Sequence, residues 1–260
     1  MLFKELPLHT TIQKAVAEAN YKEATPVQAQ TIPLVLAKKD VIASAQTGTG
    51  KTAAFALPIL QLLRDKQDSA KKDRKIRALV ISPTRELAVQ IQENFRTYGN
   101  YTNLRTCVIF GGTSMEPQID QLSRGVDIVI ATPGRLLDLH KRDELNLDYI
   151  EHFVIDEADL LLDMGFIDDV QKIERLCPEE KQILLFSATM PFKVVQLAKT
   201  ILKDPERVEV AAPSSAADGV KQLLYYVPKP KKVELCLHLL RNTIKGNILI
   251  FRRTKNGVAK

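Results

Sequence analysis

The chain has 260 residues, 45% of them hydrophobic and 26% charged, with a net charge of +6 and a pI of about 9.1. That composition fits one large or two small globular domains and contains no internal repeat or low-complexity tract. The basic balance suits a polyanionic partner or a well-solvated surface, and no run of about 18 apolar residues is present to span a membrane.

The N-terminus, M-L-F-K-E-L-P, lacks the apolar stretch of a signal peptide. A helix is predicted over 12–20, and a short apolar run at 41–43 precedes A-Q-T-G-T-G-K-T at 45–52. A helix-compatible stretch follows over 52–63, and the charged segment 64–77 reads as a solvated surface loop, with RNA contact as the lesser alternative. Further apolar runs lie at 78–81 before S-P-T-R-E-L, at 107–110 before Gly111-Gly112, and at 128–131 before T-P-G-R. Two more lie at 153–155 before D-E-A-D and at 183–186 before S-A-T. Helical segments are predicted at 86–98, 117–122 and 191–201. Short runs that are apolar on both sides fit parallel strands covered by helices. Their alternation with helices predicts a doubly wound, mostly parallel α/β sheet with helices on both faces. In such sheets ligands gather at the carboxyl ends of the strands, and every polar motif falls there.

Residues 211–219, A-A-P-S-S-A-A-D-G, read as an interdomain linker. A strand at 222–227, an amphipathic helix at 231–242 and a strand at 247–251 are then expected to open a second α/β unit. About 40 residues rarely fold alone. Cys107, Cys177 and Cys236 are odd in number, widely spaced and without a C-x-x-C pair, as for reduced thiols in a cytoplasmic protein.

The 45–52 segment has the composition of a phosphate cradle. Its Ala45, Gln46, Thr47, Gly48, Thr49 and Gly50 form a small-residue turn whose N–H groups can converge on phosphate oxygens. Lys51 adds a point charge, and Thr52 offers a hydroxyl to Mg²⁺. Ala45 stands in place of the first Gly of the general G-x-x-x-x-G-K-[ST] pattern. About a hundred residues later an apolar strand ends in two carboxylates. Asp156 is placed to hold Mg²⁺ through water, and Glu157 to orient or deprotonate an attacking water. D-E-A-D taken alone also fits a solvated helix N-cap. The two segments together predict hydrolysis of a nucleoside triphosphate.

In this order the motifs resemble those of the DEAD-box ATP-dependent RNA helicases of superfamily 2, along nearly the whole chain. The resemblance implies a RecA-like P-loop NTPase fold, ATP and Mg²⁺ as cofactors, and RNA as partner. The Q motif corresponds to 21–28, with Phe3 as an upstream aromatic. Gln28 would read the adenine edge beside Thr25, and Tyr21 or Phe3 would help hold the base. Pro83, Thr84 and Arg85, the pair Gly111 and Gly112, and Thr132, Pro133, Gly134 and Arg135 would grip one RNA strand by its backbone, without reading bases. Helix capping also accounts for Thr84 and Thr132, and surface charge for the two arginines. Ser187 and Thr189 would couple the ATP and RNA sites by hydrogen bonding to the D-E-A-D segment. L-L-D-M-G-F after it is similar to the bacterial RhlE-like branch.

Two departures stand in the Q motif: Asn20 where the family prefers Gly, and Ala24 where it prefers Pro. Both are expected to loosen that turn. The resemblance divides the chain into an ATP-binding domain at 1–210, with the Q-motif region at 1–28, the linker at 211–219, and an incomplete second RecA-like domain at 220–260. The family's arginine fingers and second RNA face belong to that second domain. The chain is therefore expected to bind nucleotide and to be poorly active alone. A nucleotide-gated RNA-binding module without turnover is the alternative. A P-loop ATPase acting on something other than RNA is disfavoured by the Q motif, T-P-G-R and S-A-T.

Overall fold

The computed structural model describes residues 1–65, 74–210, 223–243 and 246–250. The chain falls into two units, Met1–Ala212 and Pro213–Lys260.

The first unit is built on seven parallel strands: β1 (Val41–Ser44), β2 (Ala78–Ile81), β3 (Thr106–Ile109), β4 (Ile128–Ala131), β5 (His152–Ile155), β6 (Gln182–Ser187) and β7 (Glu206–Glu209). Their order across the sheet is β3-β4-β2-β5-β6-β1-β7. Among the described residues this unit has nine α-helices: α1 (Thr10–Glu18), α2 (Pro26–Leu36), α3 (Lys51–Asp65), α4 (Arg85–Tyr98), α5 (Glu116–Ser123), α6 (Pro133–Lys141), α7 (Ala158–Asp163), α8 (Ile167–Leu176) and α9 (Phe192–Ile201).

Alternating side chains feed two separate cores. Val80, Val154, Leu184 and Phe186 pack with α1–α4 on one face. Leu79, Ile81, Phe153, Ile155 and Leu185 pack with α6–α9 on the other. A strand buried on both faces gains nothing from polar alternation, which is why β2, β4 and β5 read as unbroken apolar runs. Helix α3 is enclosed almost all round, with Ala53 through Leu60 buried.

The doubly wound α/β expectation holds, and the six apolar runs form β1 to β6. The seventh strand, β7, follows no apolar run, because only Val208 of its four residues is buried. Helices α2, α6, α7 and α8 also form where none is assigned from sequence. The linker at 211–219 lies outside the described residues.

In the second unit, a 3-10 turn at Lys229–Lys231 leads into α10 (Lys232–Asn242), which has no buried residue. Neither expected strand forms among the described residues: 223–227 and 247–250 are irregular. An isolated strand has no ladder partner to satisfy its backbone, and Leu223, Leu224, Tyr226 and Leu249 are left exposed.

Candidate nucleotide site and phosphate-binding loops

The carboxyl end of β1 runs into the 45–50 turn, and α3 begins at Lys51, so the first N–H groups of a helix face the turn. Gly48 and Gly50 take φ of +80° and +88°, which a side chain rarely adopts. Gly50 also lacks room for one: a Cβ there would overlap the Gln28 amide. The turn starts from Ala45, whose N–H donates to the Ser187 carbonyl at 3.1 Å.

Lys51 is buried. Its ammonium donates to the Ala45 carbonyl at 2.9 Å and lies 3.0 Å from Glu157 Oε1. This ion pair joins the 45–52 turn to the carboxylates after β5. Glu157 has φ 49° and ψ 55°, a left-handed backbone at the N-cap of α7. A non-glycine residue there is strained by about 1–2 kcal/mol. The strained residue is the one whose carboxylate meets Lys51.

Asp156 is 5% exposed, and its N–H donates to the Ile81 carbonyl at 2.9 Å. Burial, then the neighbouring Glu157 charge, push its carboxyl up to about 7, against the opposing pull of Lys51. Its Oδ1 is buried without a hydrogen-bond partner. Among the described residues no group of three His, Cys, Asp or Glu side chains gathers to bind a metal. Mg²⁺ does not need one, since it keeps several waters and takes one or two protein oxygens plus substrate phosphates. The unsatisfied Asp156 oxygen and the half-buried Thr52 at the start of α3 fit that requirement.

Beyond β6, Thr189 donates to Asp159 Oδ2 from its N–H at 2.9 Å and from Oγ1 at 2.8 Å. The Asp159 N–H donates to Ser187 Oγ at 3.1 Å, and that hydroxyl donates to the Thr189 carbonyl at 2.6 Å. S-A-T and D-E-A-D are thus tied by a closed set of hydrogen bonds. Asp159 is the member that the sequence reading leaves unnamed; its place three residues after Asp156, on the first turn of a helix, was the available signal.

The remaining loops follow β2, β4 and β3, which are neighbours in the sheet. Pro83 is buried, and Thr84 caps α4, its Oγ1 accepting from the Leu87 N–H at 3.3 Å. Arg85 is exposed, 5.7 Å above the Phe110 ring. A Cβ at Gly111, Gly112 or Gly134 would meet no atom of the described residues within 4 Å, so their backbone is open to approach. Thr132 occupies the N-cap of α6 without a side-chain capping bond, followed by the buried Pro133. Arg135 donates to the Thr113 carbonyl at 2.9 Å, while its Nη1 is buried and unpartnered. The loops after β1, β6 and β5 lie on the adjoining half of the sheet, so the two groups meet at the β2–β5 boundary.

A DEAD/DEAH box helicase family model matches residues 25–198, most of the first unit. The chain belongs to this family. It is 43% identical over 258 residues to the DEAD-box ATP-dependent RNA helicase CshA of Streptococcus pneumoniae, covering 99% of this chain and 48% of that protein. It is 41% identical over 253 residues to the DEAD-box ATP-dependent RNA helicase RhpA of Helicobacter pylori, covering 97% of this chain and 50% of that protein. The chain spans about half the length of the curated relatives it matches. A solved DEAD box protein from Methanococcus jannaschii superimposes with a TM-score of 0.75 at 37% identity, over 93% of this chain and 64% of that one. The fold of the first unit is the RecA-like domain of the DEAD-box helicases.

In this DEAD-box chain the Q-motif turn is held, not loosened. Asn20 takes φ 63°, the left-handed conformation that Gly supplies most easily and Asn tolerates. It closes α1 with two bonds, Asn20 N–H to the Ala17 carbonyl at 3.0 Å and Tyr21 N–H to the Val16 carbonyl at 3.1 Å. Ala24 is fixed by its N–H to the Met1 carbonyl at 3.0 Å. Thr25 and Gln28 form a capping box at the start of α2. Gln28 is buried: its Oε1 accepts from the Thr25 N–H at 2.9 Å, and its Nε2 donates to the Gly50 carbonyl at 3.1 Å. The Q motif therefore touches the 45–52 turn through Gln28. Phe3 is enclosed in the core, while Tyr21 is exposed, with its ring 6.0 Å from Phe3 and 6.1 Å from Tyr98. Cys107 and Cys177 are buried, which pushes their thiols up to about 11 and 12.

Proposed function

We propose that the first unit binds ATP with Mg²⁺ between the 45–52 turn and the D-E-A-D carboxylates, and grips a single RNA strand by its backbone along the loops after β2, β3 and β4. It would serve as the nucleotide-hydrolysing half of an ATP-dependent RNA helicase. The observation that carries this reading is the Lys51–Glu157 pair, set beside an Asp156 oxygen that has no protein partner.

Bound Mg²⁺ would neutralise charge on the transferred phosphoryl group and fix its oxygens. Asp156 and Thr52 would hold it, Asp156 through water. Lys51 would face phosphate, and Glu157 would orient or deprotonate the attacking water. Gln28, with one amide hydrogen uncommitted among the described residues, would read adenine. Ser187, Thr189 and Asp159 would carry the nucleotide state toward the RNA loops. The backbone N–H groups at Gly111, Gly112 and Gly134, with Arg85 and Arg135, suit phosphates and not base edges.

We further propose that residues 211–219 link this unit to the opening of a second RecA-like domain at 220–260. An arginine finger from such a domain contributes about 10³–10⁵ in rate. Residues 1–210 by themselves are accordingly expected to bind nucleotide but to show little RNA-stimulated hydrolysis. Calorimetry tests the binding claim. ATP and ADP should bind more tightly than GTP and GDP, and Gln28→Ala should remove the difference. Equal affinities for all four nucleotides in the unmodified chain would overturn the assignment.

A further inference from the structure

Two residues that each carry a buried oxygen without a partner among the described residues follow the registered ends of adjacent strands. In the parallel β2–β5 pair, Ile81 is the register partner of Ile155, so Ser82 and Asp156 are the next residues along adjacent strands. The strands stay linked there, because the Asp156 N–H donates to the Ile81 carbonyl at 2.9 Å. Side chains alternate along a strand. Val80 and Val154 both face the core formed with α1–α4, so Ser82 and Asp156, two residues on, face that same side. Ser82 is fully buried, and neither Ser82 Oγ nor Asp156 Oδ1 has a hydrogen-bond partner among the described residues.

A buried hydroxyl beside a buried carboxylate, both unsatisfied, is a costly arrangement unless the two serve each other. Ser supplies one O–H donor; an ionised carboxylate only accepts. No other unpartnered side-chain atom of the described residues is in strand register with Asp156.

We propose that Ser82 is a positioning residue for Asp156: its hydroxyl donates toward Oδ1, through one shared buried water, and holds the carboxylate in the orientation that Mg²⁺ requires. The inference rests on the assignment of Asp156 to the Mg²⁺ site. Ser82 touches neither nucleotide nor metal and acts only through Asp156. Groups that orient a metal-holding side chain typically change metal affinity by about 10-fold or more when lost, and somewhat less where water intervenes.

The test is a Mg²⁺ titration of ADP affinity, followed by a fluorescent ADP analogue, with no turnover required. In Ser82→Ala, and in Ser82→Cys, which keeps the volume but donates weakly, the Mg²⁺ concentration for the half-maximal effect should rise by about five- to tenfold. ADP affinity in EDTA should stay unchanged, and Ser82→Thr should stay near wild type because it keeps the hydroxyl. If Ser82→Thr melts early from overcrowding, the Ala and Cys variants still decide the matter. Wild-type Mg²⁺ dependence in both would overturn the proposal while leaving the Mg²⁺ site intact. Equal weakening with and without Mg²⁺ would also overturn it, since a merely structural role acts that way. Absence of any Mg²⁺ effect in the wild-type chain would instead remove the underlying assignment.

Discussion

The two ends of the sheet treat buried polar groups differently. At the amino ends the networks are closed. Asp40 accepts the N–H groups of Ile183 and Lys203, both at 2.8 Å. Gln182 donates from Nε2 to the carbonyls of Val35 and Lys39, and its Oε1 accepts from His152 Nδ1. Asp127 pairs with Arg74 and accepts the Arg105 N–H. At the carboxyl ends Ser82 Oγ, Asp156 Oδ1 and Arg135 Nη1 are unpartnered, and Glu157 carries the strained backbone. Arg74 Nε is the exception at the amino end, and Thr31 Oγ1 lies in α2, away from both ends. A closed network contributes to stability; an open one keeps its hydrogen-bonding capacity for something that binds. The prolonged apolar strands between the two ends let one end be incomplete without unfolding the domain.

The sharpest way to break this comparison is a lesion at the closed end. Asp40→Ala strands one buried and one part-buried N–H donor that now meet a charge. The expected cost is about 3 kcal/mol of stability, read from urea denaturation. Nucleotide affinity of the folded protein should be unchanged. A large loss of affinity with little loss of stability would show that the amino end belongs to the functional machinery.

The converse lesion sits at the open end. Lys51→Ala removes the cation that the proposed function sets against phosphate, and ATP affinity should fall by about 10- to 100-fold, or roughly 1.4–2.8 kcal/mol. Glu157 loses its partner but lies at the mouth of the turn, where water can replace the ammonium. The loss in unfolding free energy should therefore be smaller than the loss in binding. Calorimetry and denaturation on the same preparation compare the two, and a stability loss exceeding the binding loss would make Lys51 a structural residue first.

Much of this division was legible in the chain. The six apolar runs fall within a residue of β1 to β6, because strands buried on both faces leave a continuous apolar signal. The motifs mark the carboxyl ends for the same reason that ligands collect there. Other features have no sequence signal of that kind. Strand β7, E-R-V-E, is an edge strand that buries one side chain, so its position follows from pairing with β1 and not from its own pattern. Helix α2, P-V-Q-A-Q-T-I-P-L-V-L, buries a regular stripe that includes the polar Gln28 and Thr31 and leaves Pro33 exposed, so its apolar residues do not mark the helical period. The apolar residues at 223–227 and 247–250 have strand composition but pair with no strand among the described residues of their unit. Lys51 meeting Glu157, Gln28 meeting Gly50, and Ser82 falling beside Asp156 are products of strand order. So is the left-handed Glu157, since no local residue choice forces it. Asn20 could have been read more fully: its replacement of Gly keeps the one conformation that the turn demands.

The smallest expected effect concerns the bond between the two motifs, where closed and open ends meet in miniature. Partial burial alone would raise the Asp159 carboxyl, but the two hydrogen bonds from Thr189 outweigh it and hold it below its ordinary value of 3.8. A carboxylate with a depressed folded-state value contributes stability that is fully present above about pH 4 and is lost as pH falls through that lower value. Thr189→Val removes the Oγ1 bond at nearly constant volume and keeps the backbone N–H bond. At neutral pH the cost should be under about 1 kcal/mol, because the pair is largely solvent-facing. The difference in urea midpoint between wild type and Thr189→Val should shrink as the pH is lowered below about 4, since a protonated Asp159 gains less from the hydroxyl. A difference that stays constant or widens on acidification would mean that the Thr189 hydroxyl stabilises the domain by packing, and that S-A-T is not tied to D-E-A-D through the Asp159 charge.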